Sequence, residues 1–428
     1  MTTYVFADNF RGFKNTAFPI LQVNFFVGEN STGKSSILEL IGVLANVNFW
    51  AFDAAYGAPE VPDRHFLDLL SAGSSNKRSF TIGAISFPKA PDKAHGMIVT
   101  YVNNEGRPVP SRISVISDNK IRYVEGNFFR QKRSDKFRAF EKTSNKATTS
   151  KCEKDRILAF AKTHLSKNNQ ENIVENLRTR APVLMRFSDL LFGKSQRKTG
   201  EHHFRVPTIA RHFVELAPIR TKPKRTYDAP QTAFSPEGEH TPYVIRKKLS
   251  ASSGKAFKEF LEQIGTSSGL FKSIAVKEYS PEDRAPFEIR IDIDKTSLTI
   301  DNVGYGVSQA LPVIVEIYIQ PKNSTFAIQQ PEVHLHPRAQ ATFGDLIASV
   351  ARDDEKSFLV ETHSDFTIDR YRLNIKKNGN IPSQILYFER LGGANTVTPI
   401  SIEKDGSISA NQPDTYRDFF LNESLSNL

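Results

Sequence analysis

Residues 28–35, Gly-Glu-Asn-Ser-Thr-Gly-Lys-Ser, match the pattern G-x-x-x-x-G-K-[ST], whose backbone N–H groups cradle nucleotide phosphates. The apolar run 21–27 predicts a strand before this loop, and residues 35–44 predict a helix after it. A helix that starts here directs its positive end at the phosphates. Lys34 would then reach the β- and γ-phosphates of ATP, and the Ser35 hydroxyl would bind Mg²⁺. The expected nucleotide-binding residues are Gly28, Glu29, Asn30, Ser31, Thr32, Gly33, Lys34, Ser35 and Ser36.

Two later apolar runs end in polar residues. Residues 324–337 read Ser-Thr-Phe-Ala-Ile-Gln-Gln-Pro-Glu-Val-His-Leu-His-Pro, and residues 356–364 read Lys-Ser-Phe-Leu-Val-Glu-Thr-His-Ser. Phosphate-loop enzymes place metal-organising and water-orienting groups at such strand ends. The predicted metal-binding residues are therefore Ser35 and Gln329, and the predicted catalytic residues are Gln330, Glu332 and His363.

The first of these strands ends in two amides, Gln329 and Gln330, and neither has the charge with which a carboxylate holds the Mg²⁺ shell. A glutamine can coordinate a metal through its carbonyl and can position water, but it has no charge and cannot act as a base. We therefore expect ATP hydrolysis to be slow or to use another carboxylate. Glu332 and Glu361 are the nearest candidates in sequence.

A glycine-rich turn at residues 302–312, Asn-Val-Gly-Tyr-Gly-Val-Ser-Gln-Ala-Leu-Pro, precedes an apolar helix. Free N–H groups at such a helix start suit a phosphate. Gly306 and Ser308 are therefore additional nucleotide-binding candidates. The alternative for Ser308 is a helix N-cap.

The order of phosphate loop, glycine-rich turn, polar strand end and histidine resembles the ABC-type ATPase head. More closely, the motifs resemble the bacterial AAA_15/AAA_21 and OLD-like ATPases, which are related to the structural-maintenance-of-chromosomes (SMC) and RecF proteins. The matching stretches are residues 9–14, 28–35, 304–309, 330–337 and 361–364. This resemblance implies an α/β ABC-type, SMC-like P-loop ATPase head. It also implies a homodimer that encloses ATP and Mg²⁺, with Gly306 and Ser308 acting on the partner's γ-phosphate.

Many members of this group serve in anti-phage defence with a nuclease or other effector, so the resemblance implies a separately encoded effector. It also assigns His363 to the γ-phosphate. The alternatives stay open: Arg11 contacts nucleotide or is a surface arginine, and Glu332 is catalytic or links two loops. For His334 and His336, the alternation with apolar residues favours a packed turn over a metal pair.

The net charge of +10 is concentrated in one segment, because residues 120–200 hold 20 Lys and Arg against 8 Asp and Glu. This excess indicates an acidic protein partner or nucleic acid, and the alternative is a solvated surface. One cysteine, Cys152, excludes an intrachain disulfide and fits a reducing compartment. No apolar stretch is long enough to span a bilayer, so we expect a cytoplasmic protein without membrane contact.

The sequence predicts four regions: residues 1–120 and 216–375 form the ATPase head, 121–215 a basic, mainly helical insertion, and 376–428 a short C-terminal extension. Within the insertion, 152–165 and 171–177 are predicted helices. The predicted function is an ATPase subunit of an anti-phage complex. Two alternatives remain: a RecF-like clamp that grips duplex DNA through the basic segment, and a nucleotide-gated scaffold with negligible turnover.

Overall fold

A computed structural model of the 428-residue chain describes residues 2–87, 94–117, 120–126, 128, 136–143, 150–166, 173–176, 209–210, 212–228, 231, 233–252, 254–280, 282, 285–379, 381–410 and 412–416. The chain forms two compact units. The first comprises Met1–Leu21, Gly28–Ala210 and Tyr387–Pro399, and the second comprises Gln22–Val27, Arg211–Leu386 and Ile400–Leu428.

The strands are β1 Thr2–Asp8, β2 Thr16–Ile20, β3 Val23–Gly28, β4 Ser79–Phe87, β5 His95–Asn104, β6 Arg107–Ser117, β7 Lys120–Glu125, β8 Lys136–Thr143, β9 Ile173–Asn176, β10 Phe213–Leu216, β11 Ser273–Glu278, β12 Phe287–Ile293, β13 Thr296–Thr299, β14 Thr325–Gln329, β15 Ser357–Glu361, β16 Ser383–Leu391 and β17 Ala394–Ile402. The helices are α1 Lys34–Ala45, α2 Val47–Ala51, α3 Phe66–Leu69, α4 Glu153–Leu165, α5 Thr241–Leu249, α6 Gly254–Ser268, α7 Tyr305–Ile319, α8 Pro337–Asp353 and α9 Asp365–Asn378.

An eight-stranded antiparallel sheet of order β2-β1-β4-β5-β6-β7-β8-β9 dominates the first unit. Apolar side chains from its strands pack against α4. This cluster includes Phe6, Ile85, Phe87, Ile98, Ile116 and Ile121 of the sheet with Ile157 and Phe160 of the helix. The sheet therefore has one face closed by α4.

His164, in the last turn of α4, is fully buried and joins this helix to two strands. Its Nε2 lies 2.6 Å from Thr100 Oγ1, and its Nδ1 lies 2.5 Å from Ser114 Oγ. Burial, aided by the nearby Arg112 guanidinium, lowers the pKa of His164 to about 3. The imidazole is therefore neutral and serves to hold α4 on the sheet.

The predicted mainly helical insertion is wrong for the described part of residues 121–215. The helix expected at 152–165 is present as α4, but β7, β8 and β9 extend the sheet, and the helix expected at 171–177 is absent because 173–176 is a strand. The charges that suggested a helix surface instead form cross-strand ion pairs: Glu141 binds Lys120 at 2.8 Å and Arg122 at 2.6 Å.

The parallel strands of a six-stranded sheet organise the second unit. β10, β14, β15 and β3 are parallel neighbours within a sheet of order β10-β14-β15-β3-β16-β17. The strands β14 and β15 are nearly continuous apolar runs, as expected when both faces of a parallel sheet are covered. Because β16 and β17 belong to this sheet, residues 383–402 are not the extension that the sequence predicted. The alternating apolar residues of β16 explain their place in the sheet.

Helices α8 and α9 of the second unit pack closely against each other. A Cβ atom on Gly344 of α8 would lie 2.3 Å from the carbonyl oxygen of Thr367 in α9, so the two helix backbones are in contact there. A separate antiparallel sheet of order β11-β12-β13 lies in the same unit. Helix α7 is almost entirely buried, in agreement with its apolar sequence.

Candidate nucleotide site

The phosphate loop begins at Gly28, the last residue of β3, and ends where α1 begins at Lys34. The Lys34 ammonium group is buried inside the loop and donates hydrogen bonds of 2.8 Å to the carbonyls of Gly28 and Glu29. Thr32 Oγ1 also donates to the Glu29 carbonyl, at 2.8 Å. The loop is thus already curled around its lysine, which is the shape that phosphate binding requires.

Two loop glycines are required by the backbone and by packing. Gly28 has φ 144° and Gly33 has φ 95°, conformations that side chains rarely adopt. A Cβ on Gly28 would lie 2.0 Å from the Phe388 carbonyl oxygen, and one on Gly33 would lie 2.6 Å from the Phe13 ring. The backbone angles and the close contacts at Gly28 and Gly33 explain why the motif has glycine at both positions.

The side chain of Arg11 contacts helix α1. Its Nη1 pairs with the Glu39 carboxylate at 2.5 Å, and its Nε donates to the Asp68 carbonyl at 3.3 Å. Glu39 also binds Arg64, at 2.7 Å. The arginine therefore has a structural ion pair, and a nucleotide contact stays a prediction.

In the second unit, the strand ends predicted to be functional lie at one edge of the parallel sheet. Gln329 of β14 is in register with Glu361 of β15, and Glu361 is in register with Phe26 of β3. The backbone N–H of Gln330, a residue with φ 44°, donates to the Glu361 carbonyl at 2.8 Å. The phosphate loop follows β3 directly in the chain.

Glu332 connects the two strand ends. One carboxylate oxygen accepts the backbone N–H of His363 at 2.7 Å, and the other accepts the Thr362 hydroxyl at 2.9 Å. Burial raises the pKa of the Glu332 carboxyl above its ordinary value. The structural link considered for this residue is therefore present, and a catalytic role stays a prediction.

The three histidines near these strands have different surroundings. The side chain of His363 is exposed, while that of His334 contacts the Tyr305 ring edge-on with ring centres 4.9 Å apart. His336 is the N-cap of α8, where its Nδ1 accepts the backbone N–H of Arg338 at 3.4 Å. His334 and His336 thus have separate structural roles, in agreement with the packed turn.

The glycine-rich turn leads directly into α7. Gly304 is the N-cap of this helix, so the N-cap alternative for Ser308 is wrong. Ser308 Oγ donates instead to the Tyr305 carbonyl at 2.8 Å inside the first turn. A Cβ on Gly306 would lie 2.7 Å from the His334 carbonyl oxygen, so this glycine lets the turn pack against the loop after β14.

Arg220 is the main site residue that the sequence did not reveal. Its side chain is only 2% exposed, and its Nη2 donates to the Gln329 carbonyl at 3.1 Å. The Nε and Nη1 atoms are buried and lack a hydrogen-bond partner within the described ranges. Burial lowers the pKa of Arg220 to about 10, and the charge of Glu332 acts in the opposite direction.

Gln309 and Glu215 complete this cluster. The Gln309 side chain accepts the Arg220 backbone N–H at 3.2 Å and donates to the Arg220 carbonyl at 3.4 Å. The Gln329 amide donates to the Glu215 carboxylate at 3.1 Å. A carboxylate therefore lies beside the Gln329 amide and comes from β10, while the use of Glu332 or Glu361 in hydrolysis stays a prediction. An arginine that closely follows a strand end was the only sequence signal for this cluster.

The AAA ATPase domain family matches residues 5–368. The chain belongs to this family. An AAA ATPase domain binds and hydrolyses nucleotide, so the predicted nucleotide binding, ATPase activity and α/β P-loop ATPase fold are confirmed. The resemblance to OLD-like proteins is also confirmed, because 129 residues are 29% identical to the OLD nuclease of Thermus scotoductus. That alignment spans 29% of this chain and 24% of the relative.

Solved structures that resemble this AAA ATPase domain include SMC heads. The SMC head bound to the C-winged helix domain of ScpA aligns over 94% of this chain and 98% of its own, with a TM-score of 0.42 and 13% identity. The SMC head of Thermotoga maritima aligns over 93% and 98%, with a TM-score of 0.37 and 11% identity. Separately, none of the helices in the described part of the chain is long and apolar enough to cross a membrane.

Proposed function

We propose that this ATPase is an ABC-type head that binds ATP and Mg²⁺ tightly, hydrolyses ATP slowly, and uses the nucleotide state to control a separately encoded effector. The observation that carries this proposal is the pair of amides, Gln329 and Gln330, at the edge of the sheet that leads into the phosphate loop. A head without a carboxylate at these positions would remain longer in its ATP-bound state than a motor would. This behaviour suits a sensor.

The proposal assigns the Mg²⁺ ion to two oxygen ligands, the Ser35 hydroxyl and the amide oxygen of Gln329, whose amide nitrogen donates to the Glu215 carboxylate. Oxygen ligands are those that Mg²⁺ prefers, and the ion would neutralise the charge of the phosphates. The role left to the protein is to hold the phosphates with Lys34 and the loop N–H groups, and to orient water with Gln330, Glu332 and His363.

ATP-dependent dimerisation is part of the proposal. In an ABC-type head, the helix start at Gly306 and Ser308 acts on the nucleotide of a second copy, so two copies enclose two nucleotides.

The anti-phage role rests on the similarity to an OLD nuclease and on the resemblance to defence ATPases. It is tested by purifying the native protein from its own cells in ATP and in ADP, and identifying the retained proteins by mass spectrometry. We expect one effector enzyme to be retained in only one nucleotide state. Recovery of the same proteins in both states would contradict nucleotide control.

A second candidate is the DNA clamp, which the positive charge of residues 120–200 favours. It predicts that the affinity for duplex DNA falls steeply between about 50 and about 200 mM salt, because each neutralised phosphate releases a counterion. Fluorescence anisotropy with labelled duplex measures this dependence. Tight binding that requires ATP would favour the clamp over the sensor.

A further inference from the structure

A cavity of about 110 Å³ lies in the second unit between the segment after Arg220 and helices α5 and α7. Its floor is apolar and includes Ile245, Ile289 and Leu311. Two lysines, Lys222 and Lys224, belong to its lining and are exposed to solvent. The cavity thus combines an apolar interior with a positive rim.

One polar group in the lining lacks a partner. Thr241 is 3% exposed, and its hydroxyl has no hydrogen-bond partner within the described residues. A buried hydroxyl left in this state costs free energy, which an incoming hydrogen-bonding group would recover. Because Thr241 lines the cavity, its hydroxyl is a candidate hydrogen-bonding contact for an occupant.

The rim keeps a net positive charge. In the described parts of the chain, neither Lys222 nor Lys224 forms an ion pair with a carboxylate. The carboxylate of Glu239 also lines the cavity, but it accepts a hydrogen bond of 2.8 Å from Gln231. Two ammonium groups against one carboxylate favour an acidic occupant.

The size of the cavity excludes a nucleotide and suits one side chain. Pockets for small-molecule ligands measure about 300 to 1,000 Å³, and an apolar cavity of about 150 Å³ holds benzene. A cavity of about 110 Å³ is smaller than both, and it matches a leucine-sized group. A side chain that fills a well-packed pocket can anchor a protein interface.

We propose that this cavity is the docking site for an acidic peptide segment of a protein partner. A leucine-sized side chain enters the cavity, carboxylates on either side of it pair with Lys222 and Lys224, and the Thr241 hydroxyl donates to a peptide carbonyl. The proposal extends the proposed function, because it names the surface on which an effector acts.

The position of the cavity links its occupant to the ATPase site. Ser308 and Leu311 of α7 line it, and so does Thr221, the residue after Arg220. Arg220 is bound by Gln309 through its backbone and by the Gln329 carbonyl through its side chain. Occupation of the cavity therefore acts on the same elements that position the end of β14, and we expect it to change the rate of ATP hydrolysis.

The test uses the full chain and a fluorescein-labelled, terminally blocked peptide, Asp-Glu-Leu-Glu-Asp. The anisotropy of the labelled peptide is measured as the concentration of the protein is raised to about 1 mM. ATP turnover is measured in the same samples. Two control peptides replace the leucine by serine or all four acids by lysine. The test variant is Lys222→Glu with Lys224→Glu, and its charge-matched control is Lys255→Glu with Lys295→Glu, two exposed lysines outside the cavity.

We expect the acidic leucine peptide to bind the wild-type protein. The serine peptide should bind this protein at least about tenfold more weakly, and the Lys222→Glu/Lys224→Glu variant should bind the leucine peptide at least about tenfold more weakly. Thr241→Val, which removes only the hydroxyl, should weaken binding less, and the control variant should not. Absence of binding, equal binding of the serine peptide, or full binding to the Lys222→Glu/Lys224→Glu variant would each overturn the proposal.

Self-association that disappears in the Lys222→Glu/Lys224→Glu variant, without any peptide binding, would assign the cavity to a second copy and also overturn it. Turnover without peptide is measured in every sample. A failure of the ATPase proposal is therefore seen separately from a failure of the docking proposal.

Discussion

The Nη2 atom of Arg220 donates a hydrogen bond to the backbone carbonyl of Gln329 at 3.1 Å, while the rest of its guanidinium group is buried without a partner in the described residues. A buried cation that uses few of its donors is a poor source of stability. Because Arg220 lies at the end of β14, within the field of the Glu332 carboxylate, we propose that it positions this strand end for ATP hydrolysis.

The first prediction is that Arg220→Met separates stability from activity. The free energy of unfolding should stay within about 1 kcal/mol of wild type or increase, because a poorly paired buried charge is replaced by an apolar side chain. ATP turnover should fall at least about tenfold, because the end of β14 loses its positioning contact. Urea unfolding and phosphate release measure the two quantities. Arg225→Met, at an exposed arginine, is the control.

A second prediction concerns Lys34. Lys34→Ala should weaken ATP binding at least about tenfold, because it removes the ammonium group that the phosphate loop surrounds. Calorimetric titration with ATP measures the affinity, and circular dichroism checks the fold. Lys14→Ala, at an exposed lysine, should leave the affinity unchanged. A folded Lys34→Ala protein with wild-type affinity for ATP would show that the phosphate loop does not bind the nucleotide.

The third prediction is a pH dependence of stability at Glu332. Burial raises the pKa of this carboxyl in the folded state, so the folded protein binds a proton more readily than the unfolded chain. Stability should therefore fall as the pH rises from the unfolded pKa of about 4.3 through the raised folded value.

The Glu332→Gln variant lacks this titration, and the Thr362 hydroxyl can rotate to accept from its amide. The stability of wild type relative to Glu332→Gln should decrease between about pH 4 and about pH 7. Urea unfolding of both proteins across this range measures the difference. A constant difference would mean that Glu332 titrates normally. Loss of ATP turnover in the same variant would support a catalytic role.

The phosphate loop and the two strand ends were predictable because each is a short motif next to an apolar run. Gly28, Lys34, Gln329 and His363 all lie where local sequence places them: at the ends of β3, β14 and β15 or at the start of α1. The parallel sheet then aligns the ends of these strands, which is a general property of the architecture.

The cluster around Arg220 could not be predicted, because its contacts join distant parts of the chain. Arg220 meets Gln309 after 89 residues and Gln329 after 109, and Gln329 meets Glu215 across 114. No local pattern encodes such pairs. The strands β7 and β8 were missed for a different reason: Lys120, Arg122 and Glu141 form cross-strand ion pairs, whereas in sequence they resemble a solvated helix.

The fourth prediction concerns the Gln329 amide at the end of β14 and the Glu215 carboxylate beside it. Gln329→Glu should raise ATP turnover, because it adds a negative charge where Mg²⁺ is expected. It also places that charge beside Glu215, whose carboxylate is 3.1 Å from the Gln329 amide in wild type. Since two carboxylates at this distance oppose each other's ionisation, the double variant Glu215→Gln/Gln329→Glu should be at least as active. Phosphate release at saturating Mg²⁺ tests this order, and unchanged turnover in both variants would contradict it.

The last prediction concerns the helix start that is proposed to act on a second copy. Ser308 is a poor position for a test, because it is buried and bonded to the Tyr305 carbonyl. Gly304 is better, because a Cβ placed there would meet no atom within 4 Å. Gly304→Glu should keep α7 intact, since a carboxylate at a helix N-terminus is favourable.

The same carboxylate should repel the phosphate of a nucleotide held by a partner copy. We therefore expect Gly304→Glu to bind ATP normally but to lose ATP-dependent association, while Gly304→Gln retains both properties. Sedimentation velocity with a non-hydrolysable ATP analogue, compared with ADP, measures the association of each variant. Because the two substitutions differ only in the added charge, a dimer that forms equally well in both would show that α7 does not face a second nucleotide.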